Sequence, residues 1–228
     1  MPHIPPANIF NFGAIFDLDG TIVDTLEDLA FSLNMALSNL GFPEHTVEEY
    51  RAMVGSGITR LSEAALPEGK RDEKYVLALR DQFIKDYDQH QTDHSKPYPG
   101  MPELLNTLKD LKLPLGVLTN KDHQNALQVV GHYYPGVFKA IIGAQESYPY
   151  KPDPKGALEL CRLLMREPKM VFYFGDSDTD MYTAINAGCI PVGVSWGFRS
   201  AEIIKNAGAR VVLKSPGEFF EVLPQLLG

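Results

Sequence analysis

Three carboxylates, Asp17, Asp19 and Asp24, stand close together in "AIFDLDGTIVDT" (14–25), where an apolar run gives way to polar residues. Carboxylates this close repel and raise one another's pKa, so such a cluster calls for a bound cation or a proton held on one member. Asp17 and Asp19, two apart at a strand end, can reach one pocket, and Gly20 lets the backbone turn sharply behind them. Asp24 fits the N-cap of the helix that follows. Taken alone, the string is also a plain strand exit with a helix cap, since Asp, Gly and Thr are common turn residues.

Other candidates stand at similar junctions. Thr119 and Asn120 follow a second apolar run, where a hydroxyl and neighbouring backbone N–H groups suit phosphoryl oxygens; a turn before a helix is the plainer alternative. Lys151 lies between Tyr150 and Pro152, where proline holds the preceding backbone extended and aims the side chain. Lys121 reads as a solvated charge. Asp176 and Asp180, four apart at the start of a helical pattern, would face one site from its first turn or serve as caps.

The elements that must position these residues follow from periodicity. "FGAIF", "PLGVL", "AIIGA", "VFYFG" and "PVGVS" are short continuous apolar runs that end in polar residues, as expected of strands covered on both faces of a parallel sheet. Helical patterns over 101–111, 125–133, 154–165 and 179–187 alternate with the later runs. This predicts an α/β fold with a doubly wound parallel sheet, whose ligands sit outside the carboxyl ends of the strands. Residues 21–96 break the alternation. Leu26, Leu29, Leu33, Leu37 and Leu40 recur at helical spacing up to Gly41, and further helices are predicted over 47–54, 58–66 and 72–90. The expected organisation is therefore a core of 1–20 and 97–228 with an inserted helical cap domain, 21–96.

At this point the sequence resembles the haloacid dehalogenase superfamily of aspartate-based phosphotransferases. "FDLDGT", "VLTNK", "KPDP" and "GDSDTDMYTAINAG" match four of its signatures in order. The resemblance implies that Asp17 is the nucleophile and Asp19 the general acid and base. It implies that Thr119 binds the transferring phosphoryl group and that Lys151 neutralises it. It further implies a Mg²⁺ ion held by Asp17, the backbone carbonyl of Asp19 and Asp176, with Asp180 in support. Gly20 and Asn120 are expected beside the phosphoryl group. "MVGSGITRLSEAAL" resembles the specificity segment of the phosphoglycolate phosphatase branch, which makes Ser56, Gly57 and Arg60 candidates for binding the rest of the substrate. "VSWGFRS" resembles that branch too, with Trp196 packing beside the site. The expected activity is Mg²⁺-dependent hydrolysis of a small phosphorylated metabolite, 2-phosphoglycolate first, by way of an aspartyl phosphate. A β-phosphoglucomutase-like mutase, a pyrophosphatase or another sugar-phosphate phosphatase are the alternatives within that scaffold, and a phosphate-sensing protein is the alternative outside enzymes.

Composition narrows the partners. The chain has 228 residues, 44% hydrophobic content and a formal charge of −8, ample for a sizeable core and unfavourable for nucleic acid or an anionic membrane. Within 21–96 lie 14 of the 29 acidic residues and 8 of the 21 basic ones, which argues against a nucleic-acid grip there. Cys161 and Cys189 lack a framework spacing and read as buried reduced thiols. The opening residues, "MPHIPPANIFNF", resemble neither a signal peptide nor a membrane anchor. A cytoplasmic monomer or homodimer is expected.

Overall fold

The apolar run Gly13–Phe16 forms a first strand, β1, with all four residues buried, in the computed structural model, which describes residues 9–227. The reading of residues 1–8 lies outside that range. Four further expected runs form β4 (Leu115–Asp122), β5 (Ala140–Ala144), β6 (Val171–Gly175) and β7 (Ile190–Val194). A last strand, β8 (Val211–Leu213), is too short to announce itself in the sequence. All six pair in parallel in the order β5-β4-β1-β6-β7-β8. The chain leaves β1 toward β4 and β5 on one side and toward β6, β7 and β8 on the other. The crevice at the carboxyl end of β1 is therefore the topological switch point.

Both faces are covered, as continuous apolar strands require. Phe16, Phe172 and Phe174 pack beneath α5 (Met101–Asp110), α6 (His123–Tyr133) and α10 (Phe219–Leu227), with Phe16 and Phe174 stacked at 4.4 Å. Ile15, Val171 and Tyr173 face α7 (Lys155–Leu164) and α8 (Asp178–Ala187) on the other side. Cys161 and Cys189 meet there as free thiols, Sγ to Sγ 3.7 Å. A short helix, α9 (Ala201–Asn206), precedes β8.

Between β1 and β4 the chain runs through β2 (Val23–Asp24) and α1 (Leu26–Asn39), then α2 (Val47–Met53), α3 (Ile58–Ala65) and α4 (Glu73–His90). It returns through β3 (Lys96–Pro97). The leucines of α1 bury against Leu79, Phe83 and Tyr87 of α4, with Tyr50 and Leu61, in an apolar cluster separate from those of the sheet. β2 and β3 pair antiparallel, so exit and return run side by side. The buried Asp28 of α1 secures the return by accepting from the backbone N–H groups of His94 and Ser95, each at 2.8 Å.

Two expectations need correction here. Thr25, not Asp24, occupies the N-cap of α1; Asp24 accepts only a long 3.4 Å bond from Leu26 N–H, and the Thr25 hydroxyl turns to Asp19 instead. β4 also runs on through Thr119, Asn120 and Lys121, with an irregular register against β5, rather than ending before Thr119.

Candidate active site

Asp17 follows the last residue of β1 and Asp176 the last residue of β6, adjacent parallel strands, so the sheet itself sets their carboxylates side by side. Asp180 comes to the same place from α8. Its carboxylate accepts from Ser177 N–H at 3.1 Å while the Ser177 hydroxyl accepts from Asp180 N–H at 3.2 Å, a reciprocal cap that fixes both. Oxygens of Asp17, Asp176 and Asp180 all lie within 4.8 Å of one another. The Lys151 ammonium, its side chain 4% exposed, bridges two of them, 2.8 Å from Asp17 Oδ1 and 2.7 Å from Asp180 Oδ1.

Three buried carboxylates thus share one ammonium. Burial and then Asp180 raise the Asp17 pKa well above the carboxylate range, against the pull of Lys151. Burial and then Asp180 push Asp176 up to about 7; Phe198 N–H, donating to its Oδ2 at 2.7 Å, offsets part of this. For Lys151, burial works toward neutrality, but Asp17 and Asp180 outweigh it and keep the amine charged. A hard divalent cation suits an oxygen set of this kind and would relieve the excess negative charge. Asp17, Asp176 and Asp180 offer the side-chain oxygens.

Asp19 has a different environment. Its Oδ1 accepts the Thr25 hydroxyl at 2.7 Å and lies 3.0 Å from the Lys121 ammonium, so its carboxylate is committed away from the other three. Lys121 is not solvated as expected. Its side chain is 5% exposed and donates to the Tyr87 hydroxyl of α4 at 2.8 Å. The sequence could not signal this, because both partners of the lysine are remote in the chain.

Backbone turns are tight around Asp176. Gly20 has φ +85°, and a Cβ there would stand 2.4 Å from Asp176 Oδ2; one on Gly197 would stand 2.4 Å from the Asp176 Cβ. Gly20 therefore serves close approach, and it lies outside the cavity lining. Trp196 donates to Thr21 O at 3.0 Å and braces that turn.

A cavity of about 710 Å³ opens over these groups, between the sheet end and α1, α3 and α4. Asp17, Asp19, Thr119, Asn120, Lys151 and Asp176 all line it. Both ends of the Asn120 amide are occupied, its nitrogen donating to Gly55 O at 3.0 Å and its oxygen accepting from Lys151 N–H at 2.8 Å. Gly57 lines the cavity and packs on Tyr150, whereas Ser56 and Arg60 are exposed and outside the lining. A group the sequence reading did not single out, Arg199, reaches the cap segment instead. Its guanidinium donates to Arg51 O at 2.7 Å and Val54 O at 2.6 Å.

The profile of the family described as "Haloacid dehalogenase-like hydrolase" matches residues 14–194, most of the chain. The chain belongs to that hydrolase family. Among its relatives are a phosphoglycolate phosphatase of Chromobacterium violaceum, 31% identical, with 91% of this chain and 94% of that protein covered, and one of Caulobacter vibrioides, 35% identical, with 88% and 85% covered. A crystal structure from Haemophilus somnus, described as a predicted phosphoglycolate phosphatase, superposes with a TM-score of 0.87 at 27% identity, covering 96% of this chain and all of that one. The hydrolase is thus an enzyme of the phosphoglycolate phosphatase-like branch. No helix among its described residues is long and apolar enough to cross a membrane.

Proposed function

We propose that this enzyme is a Mg²⁺-dependent phosphatase that hydrolyses a small phosphorylated carboxylic acid, 2-phosphoglycolate first, through an aspartyl phosphate on Asp17. Residues 21–96 act as the cap over a core formed by the rest of the chain, and the free thiols suit a cytoplasmic setting. One observation carries the reading: two carboxylates two residues apart have opposite surroundings. Asp17 is bound to Lys151 within the carboxylate cluster, while Asp19 is held apart by Thr25 and Lys121.

Asp17 attacks the phosphoryl group, and Lys151 offsets the charge brought together in that attack. Asp19 protonates the departing ester oxygen and then takes a proton from the water that hydrolyses the acyl phosphate. The Thr119 hydroxyl and nearby backbone N–H groups steady the phosphoryl oxygens. Asp17, Asp176 and the backbone carbonyl of Asp19 would hold a Mg²⁺ ion, with Asp180 supporting the cluster, and the ion would supply charge neutralisation for a dianionic phosphate.

Incubation with Mg²⁺ and a panel of phosphate esters tests the activity. Turnover of an aryl phosphate and of 2-phosphoglycolate is expected; no turnover with any of several divalent ions would leave a phosphate-binding protein and defeat the proposal. Metal binding has its own signature. Because the folded Asp176 value of about 7 lies above its ordinary carboxylate value, the metal-free protein keeps a proton that the unfolded chain has lost. The contribution of Asp176 to stability therefore falls as pH rises from about 4 to about 7. Bound Mg²⁺ removes that cost, and protons compete with it at low pH. The thermal midpoint gained with Mg²⁺ is thus expected to be larger at about pH 8 than at about pH 5.5, as differential scanning fluorimetry would record.

A further inference from the structure

A carboxylated substrate brings a second negative charge into the cavity, and a buried charge needs a partner. Lys151 bridges Asp17 and Asp180, so its charge serves the phosphoryl end. Arg199 donates to two cap carbonyls. Arg60 is exposed and outside the lining. Lys121 lines the cavity and, alone of these four, is paired with Asp19.

An ammonium has three N–H donors. Asp19 Oδ1 at 3.0 Å and the Tyr87 hydroxyl at 2.8 Å take two, and the third has no protein partner among the described residues. The Tyr87 ring, 4.7 Å from Nζ to its centroid, also steadies the charge from the cap side. The lysine is thus held in place, charged, and with one donor to spare.

The geometry points to Lys121 as the residue that binds the substrate carboxylate and so selects phosphorylated hydroxy acids. This rests on the phosphatase reading above. In 2-phosphoglycolate a single methylene separates the ester oxygen from the carboxylate, whose oxygens therefore lie within about 4 Å of it. An ester oxygen within hydrogen-bond reach of Asp19, about 2.6–3.2 Å, puts that carboxylate beside the neighbour of Asp19, which is Lys121. One side chain then contacts both the acid and the part of the substrate that marks it.

The test compares 2-phosphoglycolate with ethyl phosphate, which carries a methyl group in place of the carboxylate, using full-length wild type and Lys121→Met. Wild type is expected to prefer 2-phosphoglycolate. In Lys121→Met the ratio of the two kcat/KM values is expected to fall about tenfold or more, chiefly through the KM for 2-phosphoglycolate. Ethyl phosphate turnover also falls, through the looser hold on Asp19, but by less. Equal losses on both substrates would mean that Lys121 acts only through Asp19 and would overturn the assignment. A wild type that turns over both esters equally well would instead overturn the carboxylate preference, and with it this role, while leaving the phosphatase reading in place. Should Lys121→Met not fold, Lys121→Arg reads the same ratio: a partial fall is expected, because the charge stays while the compact ammonium is lost, and an unchanged ratio counts against the role.

Discussion

Asp17→Asn is expected to abolish turnover, with kcat down on the order of 10⁴-fold or more, while the protein folds normally. An amide nitrogen or oxygen is a far poorer nucleophile toward phosphorus than a carboxylate, and no other carboxylate is free to replace it. Asp180 is tied to Lys151 and Ser177, Asp19 to Thr25 and Lys121, and Asp176 accepts from Phe198 N–H and the Thr21 hydroxyl. Stability should not suffer. The substitution relieves the crowding of three buried carboxylates and leaves Lys151 paired with Asp180. Circular dichroism melting would check the fold, and rapid quenching with a phosphorus-labelled ester would check the chemistry. Wild type should carry acid-stable, hydroxylamine-labile label on the protein, and the variant none. A variant with near-normal rate would refute the covalent route.

Lys151→Met should damage stability and rate together. The ammonium is buried and joins Asp17 to Asp180, so its removal strands two carboxylates away from water. Breaking a buried ion pair from one side costs about 3–5 kcal/mol, and withdrawing a charge aimed at the reacting group costs about 10²–10³-fold in kcat. The two effects separate in a second variant. Lys151→Met combined with Asp180→Asn should recover part of the lost stability in urea melts, because one orphaned charge is gone, yet recover none of the rate. Recovery of both would show that Lys151 matters only by holding Asp180, and equal stability of single and double variants would show that the pair is not coupled.

The sequence revealed the alternating elements because each lies in a short window with one period. Even the four inserted helices stand within a residue or two of where their apolar spacing puts them. It pointed to Asp17 and Asp176 because each stands where a motif meets the end of an apolar run, and to Lys151 by its place between Tyr150 and Pro152, at the head of "KPDP". Elements too short to show a period, such as β2, β3 and β8, did not stand out. Nor did the environment of Lys121: a lysine after Thr119 and Asn120 has the same local sequence whether it points to water or to Asp19.

What the sequence determined by itself was five of the sheet's six strands, the insertion and the set of acids carried to the strand ends, since these depend on local spacing and on side chains that must be buried. Only the tertiary structure decided which charges face one another. Lys121 meets Tyr87 across 34 positions, Asn120 meets Gly55 across 65, and Arg199 meets Arg51 across 148. Such contacts follow from how α1 to α4 lie over the sheet. Electrostatic interaction depends on distance in space and on exclusion of water, and neither is encoded in the order of neighbours along the chain.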